Sequence, residues 1–226
     1  MSTTDKTTLI SVKGLTLEAG PIRLFEDLSF QLTAGQGLIL HGANGTGKTS
    51  LLRAIAGFNK PTDGQINFGT QSDPSVFNLP ENCHYLGHQN GLKPQHTVSE
   101  NLSFFRDFDP RKKLSIETVA QQLHFTTLLD LPVSVLSAGQ RRRVAFSRLL
   151  VSHRPIWLLD EPTASLDRQT SQIFEQLTKT HLDEGGLIIA ATHLPFLNGH
   201  DGCRRLNLED YLPREDVSRA AVEATS

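Results

Sequence analysis

The chain has 226 residues, of which 38% are apolar and 20% are charged, and its 22 basic and 24 acidic residues give a net charge of −2. This balance excludes intrinsic disorder of the whole chain. It also disfavours nucleic acid as the main partner, because a protein that binds the phosphate backbone normally carries a basic excess. No stretch approaches the roughly 20 apolar residues that cross a bilayer, and the N-terminus lacks the pattern of a signal peptide. We therefore expect a soluble cytoplasmic chain.

Short apolar runs alternate with helical patterns, which is typical of an α/β fold. Strands are predicted at 9–12, 15–17, 28–32, 37–40, 65–68, 83–86, 156–159, 187–191 and 205–208, and helices at 48–56, 98–105, 116–123, 139–151 and 168–182. The run 37–40 is apolar throughout, which predicts a strand buried on both faces of a parallel sheet. Only helical patterns occur from about 91 to 152, which indicates a helical insertion between two halves of that sheet. Residues 1–211 are predicted to form one domain, followed by a polar tail at 212–226.

A glycine-rich loop directly after the buried strand fits the pattern G-x-x-x-x-G-K-[ST] at every position. Glycines let the backbone approach phosphate oxygens, and the N–H groups of the loop and of the next helix point at the anion. Lys48 is expected to reach the β- and γ-phosphates, and the Thr49 hydroxyl to bind Mg²⁺. The alternative, a chance glycine-rich turn, does not explain the flanking strand and helix. The predicted phosphate site comprises Gly42, Ala43, Asn44, Gly45, Thr46, Gly47, Lys48, Thr49 and Ser50.

Two carboxylates, Asp160 and Glu161, follow the apolar run 156–159. In a nucleotide site, Asp160 would hold Mg²⁺ through water and Glu161 would polarise the attacking water. An acidic pair at a strand end can also simply cap the next helix, but the phosphate loop favours the metal-site interpretation.

A helix N-terminus is predicted at Leu136-Ser137-Ala138-Gly139-Gln140, because Ser137 and Gln140 have the spacing of a capping box. This segment stands shortly before the acidic strand. At this point the sequence resembles the nucleotide-binding domains of ABC transporters, whose signature motif reads LSGGQ; Ala138 replaces its first glycine. The resemblance runs from about residue 9 to residue 208. It implies a P-loop NTPase fold of the ABC type, with a parallel-sheet core, an N-terminal antiparallel β region and a helical subdomain at about 91–152.

The resemblance also implies roles for residues outside the phosphate loop. Ala164-Ser165-Leu166-Asp167 matches the family's D-loop, which lies at a dimer interface, and His193 matches its switch histidine, which contacts the γ-phosphate. With Lys48 and Glu161, His193 completes the implied catalytic set. ATP would then lie between the phosphate loop of one chain and residues Ser137, Ala138, Gly139 and Gln140 of a second copy. Arg141-Arg142-Arg143 beside the signature is interpreted as a solvated face.

Two positions depart from the family pattern. No aromatic residue stands near Ala19, where the family usually stacks one on adenine. His88 occupies the position where the family usually has the glutamine of its Q-loop, and Gln89 follows it. Either Gln89 reaches Mg²⁺ and the attacking water after a shift of one residue, or His88 does so itself. We favour Gln89, because Mg²⁺ would repel a protonated histidine.

Five segments, at 41–42, 49–53, 85–93, 100–104 and 136–145, together look like the ATPase subunits of haem exporters in c-type cytochrome biogenesis. This resemblance implies an ATP- and Mg²⁺-dependent homodimer that energises a separate polytopic permease as a peripheral protein on the cytoplasmic side of the inner membrane. The alternatives are the ATPase of another ABC transporter, a non-transport ABC ATPase acting on DNA or the ribosome, and a simple P-loop kinase. His84 and His88 have i,i+4 spacing, but a strand is predicted there, so direct haem binding is not expected.

Overall fold

A computed structural model describes residues 8–70, 82–107, 114–164 and 166–213 of the chain. Its strands are β1 (Thr8–Ala19), β2 (Ile22–Thr33), β3 (Gly37–His41), β4 (Asp63–Thr70), β5 (Cys83–Leu86), β6 (Ile156–Asp160), β7 (Leu187–Ala191) and β8 (Cys203–Asn207). Its α-helices are α1 (Lys48–Ile55), α2 (Val98–Asp107), α3 (Ile116–Gln122), α4 (Ala138–Val151) and α5 (Arg168–Asp183). None of the helices in these ranges has the length and apolar character needed to cross a bilayer.

The core of the fold is a parallel five-stranded sheet in the order β5-β6-β7-β3-β8. Every residue of β6 and β7 is buried, as are the first four residues of β3. Alternate residues of β3 point to opposite faces of the sheet, so Leu38 and Leu40 join the cluster that contains α1, whereas Ile39 joins the cluster that contains α4. The predicted α/β class and the parallel core are confirmed.

An antiparallel sheet in the order β2-β1-β4 packs against the α1 side of the parallel sheet. The predicted strands 9–12 and 15–17 are one continuous strand, whose register shifts between Val12 and Leu15. Gly14 lies at this irregularity with a φ of 56°, and its N–H donates to the Ser29 hydroxyl at 2.9 Å. The predicted strand 28–32 was too short, because the exposed half of β2 carries charged residues that hide its apolar alternation.

Three helices, α2, α3 and α4, form the helical part of the chain on the other side of the parallel sheet. Their buried faces share one apolar cluster, which includes Leu102, Val119 and Val144. The predicted capping box at the start of α4 is present, because Ser137 Oγ accepts the Gln140 N–H at 3.2 Å and Gln140 Oε1 accepts the Ser137 N–H at 2.8 Å. Of the predicted tail at 212–226, only residues 212 and 213 belong to the described ranges.

Candidate nucleotide-binding site

The glycine-rich loop connects the end of β3 to the start of α1. Gly42, Gly45 and Gly47 have φ values of 137°, 89° and 96°, which residues with a Cβ rarely adopt. A Cβ on Gly42 would lie 2.7 Å from the Thr46 hydroxyl, and one on Gly47 would lie 3.1 Å from the Phe25 ring. No described side chain caps α1 at Gly47, so the N–H groups of its first turn remain available to an anion.

The Lys48 side chain folds back over this loop and is buried. Its Nζ donates to the carbonyl oxygens of Gly42 and Ala43 at 2.7 and 2.9 Å. The Thr46 hydroxyl also donates to the Ala43 carbonyl, at 3.0 Å. A positive charge therefore lies inside the loop at the place where the sequence predicts a phosphate contact.

One hydrogen bond that holds the loop could not be predicted from the sequence. The Ala43 N–H donates to Glu209 Oε1 at 2.8 Å, across 166 residues of chain. Glu209 belongs to a 3-10 turn, Leu208–Tyr211, that directly follows β8. The parallel pairing of β3 with β8 brings the ends of both strands together, so this contact depends on the order of the strands and leaves no local signal.

The predicted metal ligands meet at the carboxyl edge of the parallel sheet. The Thr49 hydroxyl in α1 donates to Asp160 Oδ2 at the end of β6, at 2.9 Å. Asp160 is only 4% exposed, so this carboxylate is fixed within the protein. Hydroxyl and carboxylate oxygens are the ligands that Mg²⁺ prefers, and the pair therefore fits the predicted ion.

The predicted catalytic residues Glu161 and His193 also lie close together. Glu161 has a φ of 45°, and its N–H donates to the Ala191 carbonyl at 2.8 Å, which ties it to the end of β7. His193 Nε2 lies 3.9 Å from Glu161 Oε1 and 3.1 Å from Asn44 Oδ1 in the phosphate loop. The ends of β3, β6 and β7 thus bring three predicted functional side chains to one place.

These residues line a cleft of about 360 Å³ at the carboxyl edge of the sheet. Its polar part contains six of the nine predicted phosphate-loop residues together with Asp160, Glu161 and His193, and its apolar part is formed by Ala19 and Leu24 of the antiparallel sheet. Ala19, near which the family pattern predicts an aromatic residue, borders the same cleft as Lys48. The lining residues are Ala19, Leu24, Asn44, Gly45, Gly47, Lys48, Thr49, Ser50, His88, Asp160, Glu161 and His193.

His88 and Gln89 are both exposed, just beyond the end of β5. His88 lines both the cleft around the phosphate loop and an adjoining cleft of about 570 Å³ that also contains Thr49 and Asp160, whereas Gln89 lines only the adjoining cleft. Both side chains therefore border the proposed metal ligands, and the assignment of the Q-loop contact to Gln89 stays a prediction.

His84 lies within β5, where it is buried, and its Nε2 is 3.0 Å from the Ser152 carbonyl oxygen. His88 lies outside that strand and is exposed. The two imidazoles therefore do not share the helix face that their spacing suggests.

The signature residues and the D-loop aspartate stand apart from this cleft. Ser137 and Ala138 are exposed at the start of α4. Asp167 caps α5, since its carboxylate accepts the Thr170 N–H at 2.7 Å, and it also accepts from Arg143 at 3.0 Å. Hydrogen bonds from the Thr170 N–H and hydroxyl, and then the charge of Arg143, lower the pKa of Asp167. Neither the signature residues Ser137 to Gln140 nor Asp167 is among the residues that line the cleft around Lys48.

The prediction that Arg141, Arg142 and Arg143 form a solvated face is wrong, because Arg141 and Arg143 are half-buried and Arg142 is buried. Arg142 is only 5% exposed and donates to the backbone of the Asp160 and Glu161 segment. Sequence reasoning missed it because a run of three charged residues is normally solvated, and no local pattern shows which member turns inward.

A phosphate loop, an acidic residue at the end of another strand of the same parallel sheet and a capped signature helix define a P-loop ATPase domain of the ABC class. The family model described as ABC transporter matches residues 25–164. A relative from Rhizobium etli, named "Cytochrome c biogenesis ATP-binding export protein CcmA", is 43% identical over 190 residues, which cover 82% of this chain and 88% of the relative. The chain therefore belongs to the ABC transporter family and, within it, to the group of these cytochrome c biogenesis ATP-binding proteins.

Solved structures show the same fold. An ABC transporter ATP-binding protein from Pyrococcus furiosus superposes with a TM-score of 0.75 at 21% identity, covering 91% of this chain and 100% of that one. An ATP-binding cassette in a dimeric post-hydrolysis state, bound to ADP and Pi, superposes with a TM-score of 0.71 at 23% identity, covering 88% of this chain and 94% of that one. The predicted ABC-type fold is confirmed.

Proposed function

We propose that the chain is the ATP-hydrolysing subunit of an ABC export complex for c-type cytochrome biogenesis, and that it energises the export of haem by a separate membrane permease. The observation that carries the ATPase assignment is the 2.9 Å contact between Thr49 and Asp160 beside the Lys48 loop. The export assignment rests on the 43% identity to a cytochrome c biogenesis export protein over most of both chains.

In this proposal the phosphates of ATP bind the loop between β3 and α1. The loop N–H groups and the Lys48 ammonium supply positive potential, which compensates the charge of the phosphates. Thr49 and Asp160 would hold Mg²⁺, which supplies charge neutralisation on the phosphates when it is bound. Lys48, Thr49 and Asp160 are held at this edge of the sheet by hydrogen bonds within the protein, which places the positive charge and the two oxygen ligands next to the loop.

Glu161 is assigned as the residue that orients the attacking water and accepts its proton while the water oxygen bonds to the γ-phosphorus and the bond from that phosphorus to the ADP oxygen breaks. Its carboxylate lies beside His193, which bridges towards Asn44 of the phosphate loop. This arrangement lets His193 contact the γ-phosphate and keep Glu161 in place at the same time.

The proposal includes a homodimer. The signature residues Ser137 and Ala138 are exposed, and all of Ser137 to Gln140 lie outside the cleft around Lys48, so a second copy is needed to bring a signature segment to the nucleotide. The dimeric ADP- and Pi-bound cassette named above supports this arrangement, because its fold is the same.

The permease is proposed to dock beside the nucleotide cleft, on the side that faces helices α2, α3 and α4. There, Phe58 and Phe104 are 61% and 49% exposed, although both are large aromatic residues. Phe58 lines a groove with Tyr85, Phe105 and Arg148, which suits an apolar segment with a polar end. In this proposal the chain is a peripheral protein on the cytoplasmic side of the inner membrane.

The decisive experiment is Glu161→Gln, assayed with the chain alone and with its co-purified permease. The variant should still bind Mg-ATP, whereas turnover should fall by about 10²–10⁴-fold, the usual contribution of a general base. Unhydrolysed ATP should then favour a dimer in light scattering. In cells that depend on this chain, haem-stained c-type cytochromes in the periplasm should be lost.

The matched control is Glu175→Gln, which removes a carboxylate from α5 that pairs with Lys179 at 3.5 Å. This variant should retain turnover and cytochrome maturation. Turnover of Glu161→Gln within about twofold of the natural protein would contradict the assignment of the base. Normal cytochrome maturation with an inactive ATPase would contradict the export assignment alone.

A further inference from the structure

Arg142 links two segments of the site, residues 87–90 and residues 160–162, through buried hydrogen bonds. Its side chain projects from α4 and is almost completely buried. All three guanidinium nitrogens donate hydrogen bonds, and four of the five acceptors are backbone carbonyl oxygens. The acceptors are Pro162 O at 3.4 Å, Gly87 O at 2.7 Å, Asn90 Oδ1 at 3.1 Å, and Asp160 O and Glu161 O, both at 2.9 Å.

The first set of contacts holds the backbone of Glu161. This residue has a positive φ of 45°, a conformation that a residue with a side chain keeps only where its surroundings impose it. Its N–H is bound by the Ala191 carbonyl, and its carbonyl oxygen is bound by Arg142. The direction in which the Glu161 carboxylate leaves the backbone therefore depends on Arg142.

The second set of contacts reaches the segment after β5. The same guanidinium nitrogen binds the Gly87 carbonyl and the Asn90 side chain, on either side of His88 and Gln89. Because the guanidinium is planar and rigid, it fixes the distance between this segment and Glu161 in a way that a flexible ammonium does not.

Neutralising the charges of Asp160 and Glu161 does not by itself explain the hydrogen bonds of Arg142. Burial lowers the pKa of Arg142, and the Asp160 and Glu161 carboxylates act in the opposite direction. A buried charge that served only to balance these carboxylates would be expected to bind their oxygens, whereas Arg142 binds the carbonyl oxygens of both residues.

We infer that Arg142 is a positioning residue for ATP hydrolysis, which sets the backbone of Glu161 and couples it to the Gly87–Asn90 segment. The inference rests on the proposed function, in which Glu161 is the base. Movement of the segment that carries His88 and Gln89 is thereby transmitted to the carboxylate through one side chain.

The test compares Arg142→Gln and Arg142→Lys, each in the natural background and in the Glu161→Gln background. In the natural background, kcat should fall by at least about tenfold for both variants, because even a small displacement of a reacting group is costly. The Kd for Mg-ATP should stay within about threefold, since Lys48 and Thr49 are untouched. In the Glu161→Gln background, single-turnover hydrolysis should not fall further, because the group that Arg142 positions no longer acts.

The matched control is Arg205→Gln, which removes an exposed arginine of β8 that donates to Asn198 at 2.8 Å. It should leave kcat and Kd unchanged. The inference would be overturned by an equal loss of activity in both backgrounds or by a parallel loss of ATP affinity. It would also be overturned if the variants no longer folded or bound ATP, or if Arg142→Lys kept the full kcat. If Glu161→Gln itself were not slowed, the proposed base would fail, which is a separate outcome.

Discussion

The buried imidazole of His84 should make the protein less stable in mildly acidic solution. Burial lowers the pKa of His84 to about 3, against the opposing hydrogen bond to the Ser152 carbonyl, and the nearby Arg154 and Arg148 lower it further. The residue is therefore neutral in the folded protein between pH 7.5 and 5, whereas in the unfolded chain it gains a proton below about pH 6.5. Because the unfolded state then binds more protons, the stability from this residue is present above pH 6.5 and is lost as the pH falls towards 3.

The size of this effect follows from the two pKa values. With about 3 in the folded protein and about 6.5 in the unfolded chain, His84 should lower the free energy of unfolding by about 2 kcal/mol at pH 5.0. At pH 7.5 the same residue contributes almost nothing. His84→Gln removes the titration, while its amide N–H can still donate to the Ser152 carbonyl. The decrease in unfolding free energy between pH 7.5 and 5.0 should therefore be smaller in the variant, by about 2 kcal/mol.

Urea unfolding at the two pH values, followed by the fluorescence of the single tryptophan, Trp157, measures this difference directly. Trp157 is buried in β6, so its emission reports the folded core. His96→Gln is the control, because His96 is exposed and should leave the pH dependence unchanged. If the free energy of unfolding fell between pH 7.5 and 5.0 by the same amount in His84→Gln as in the natural protein, the reasoning would be refuted, since the imidazole would then not be held neutral by burial.

Two further predictions concern the nucleotide site. Lys48→Ala should abolish ATP hydrolysis and remove most of the ATP affinity, because the loop loses the buried ammonium that it encloses; undiminished turnover of the purified variant would contradict the phosphate site. In a steady-state ATPase assay with the permease present, Gln89→Ala should impair hydrolysis more than His88→Ala, and His88→Gln should be tolerated. If His88→Ala is instead the damaging change and also removes the acid limb of the pH profile, His88 is the contact residue.

Much of the architecture could be predicted from the sequence because its signals are local. The cores of β3, β6 and β7 are apolar at consecutive positions, which happens only when both faces of a strand are covered. The capping box at Ser137 and Gln140 and the glycine-rich loop each lie within a few residues. The family resemblance rests on the same short motifs, and the ABC-type fold that it implies is present.

Other features were wrong or absent in the sequence reasoning because their causes are distant in the chain. The charged outer face of β2 concealed half of that strand, whose inner residues are buried only because the antiparallel sheet covers the parallel one. Arg142 was read as solvated because charged runs usually are, and its burial follows from acceptors 18 to 55 residues away. Glu209 reaches the Ala43 N–H across 166 residues.

The sequence by itself determined the chemistry of this protein: a loop that can enclose phosphates, oxygen ligands that suit Mg²⁺, and a helix start that matches the ABC signature. Only the tertiary structure decided how these parts meet. The sheet order β5-β6-β7-β3-β8 brings Thr49 against Asp160 and His193 beside Glu161, and it turns one arginine of three inward. The physical reason is that local periodicity reports which face of an element is buried, whereas contacts between elements depend on which strands become neighbours.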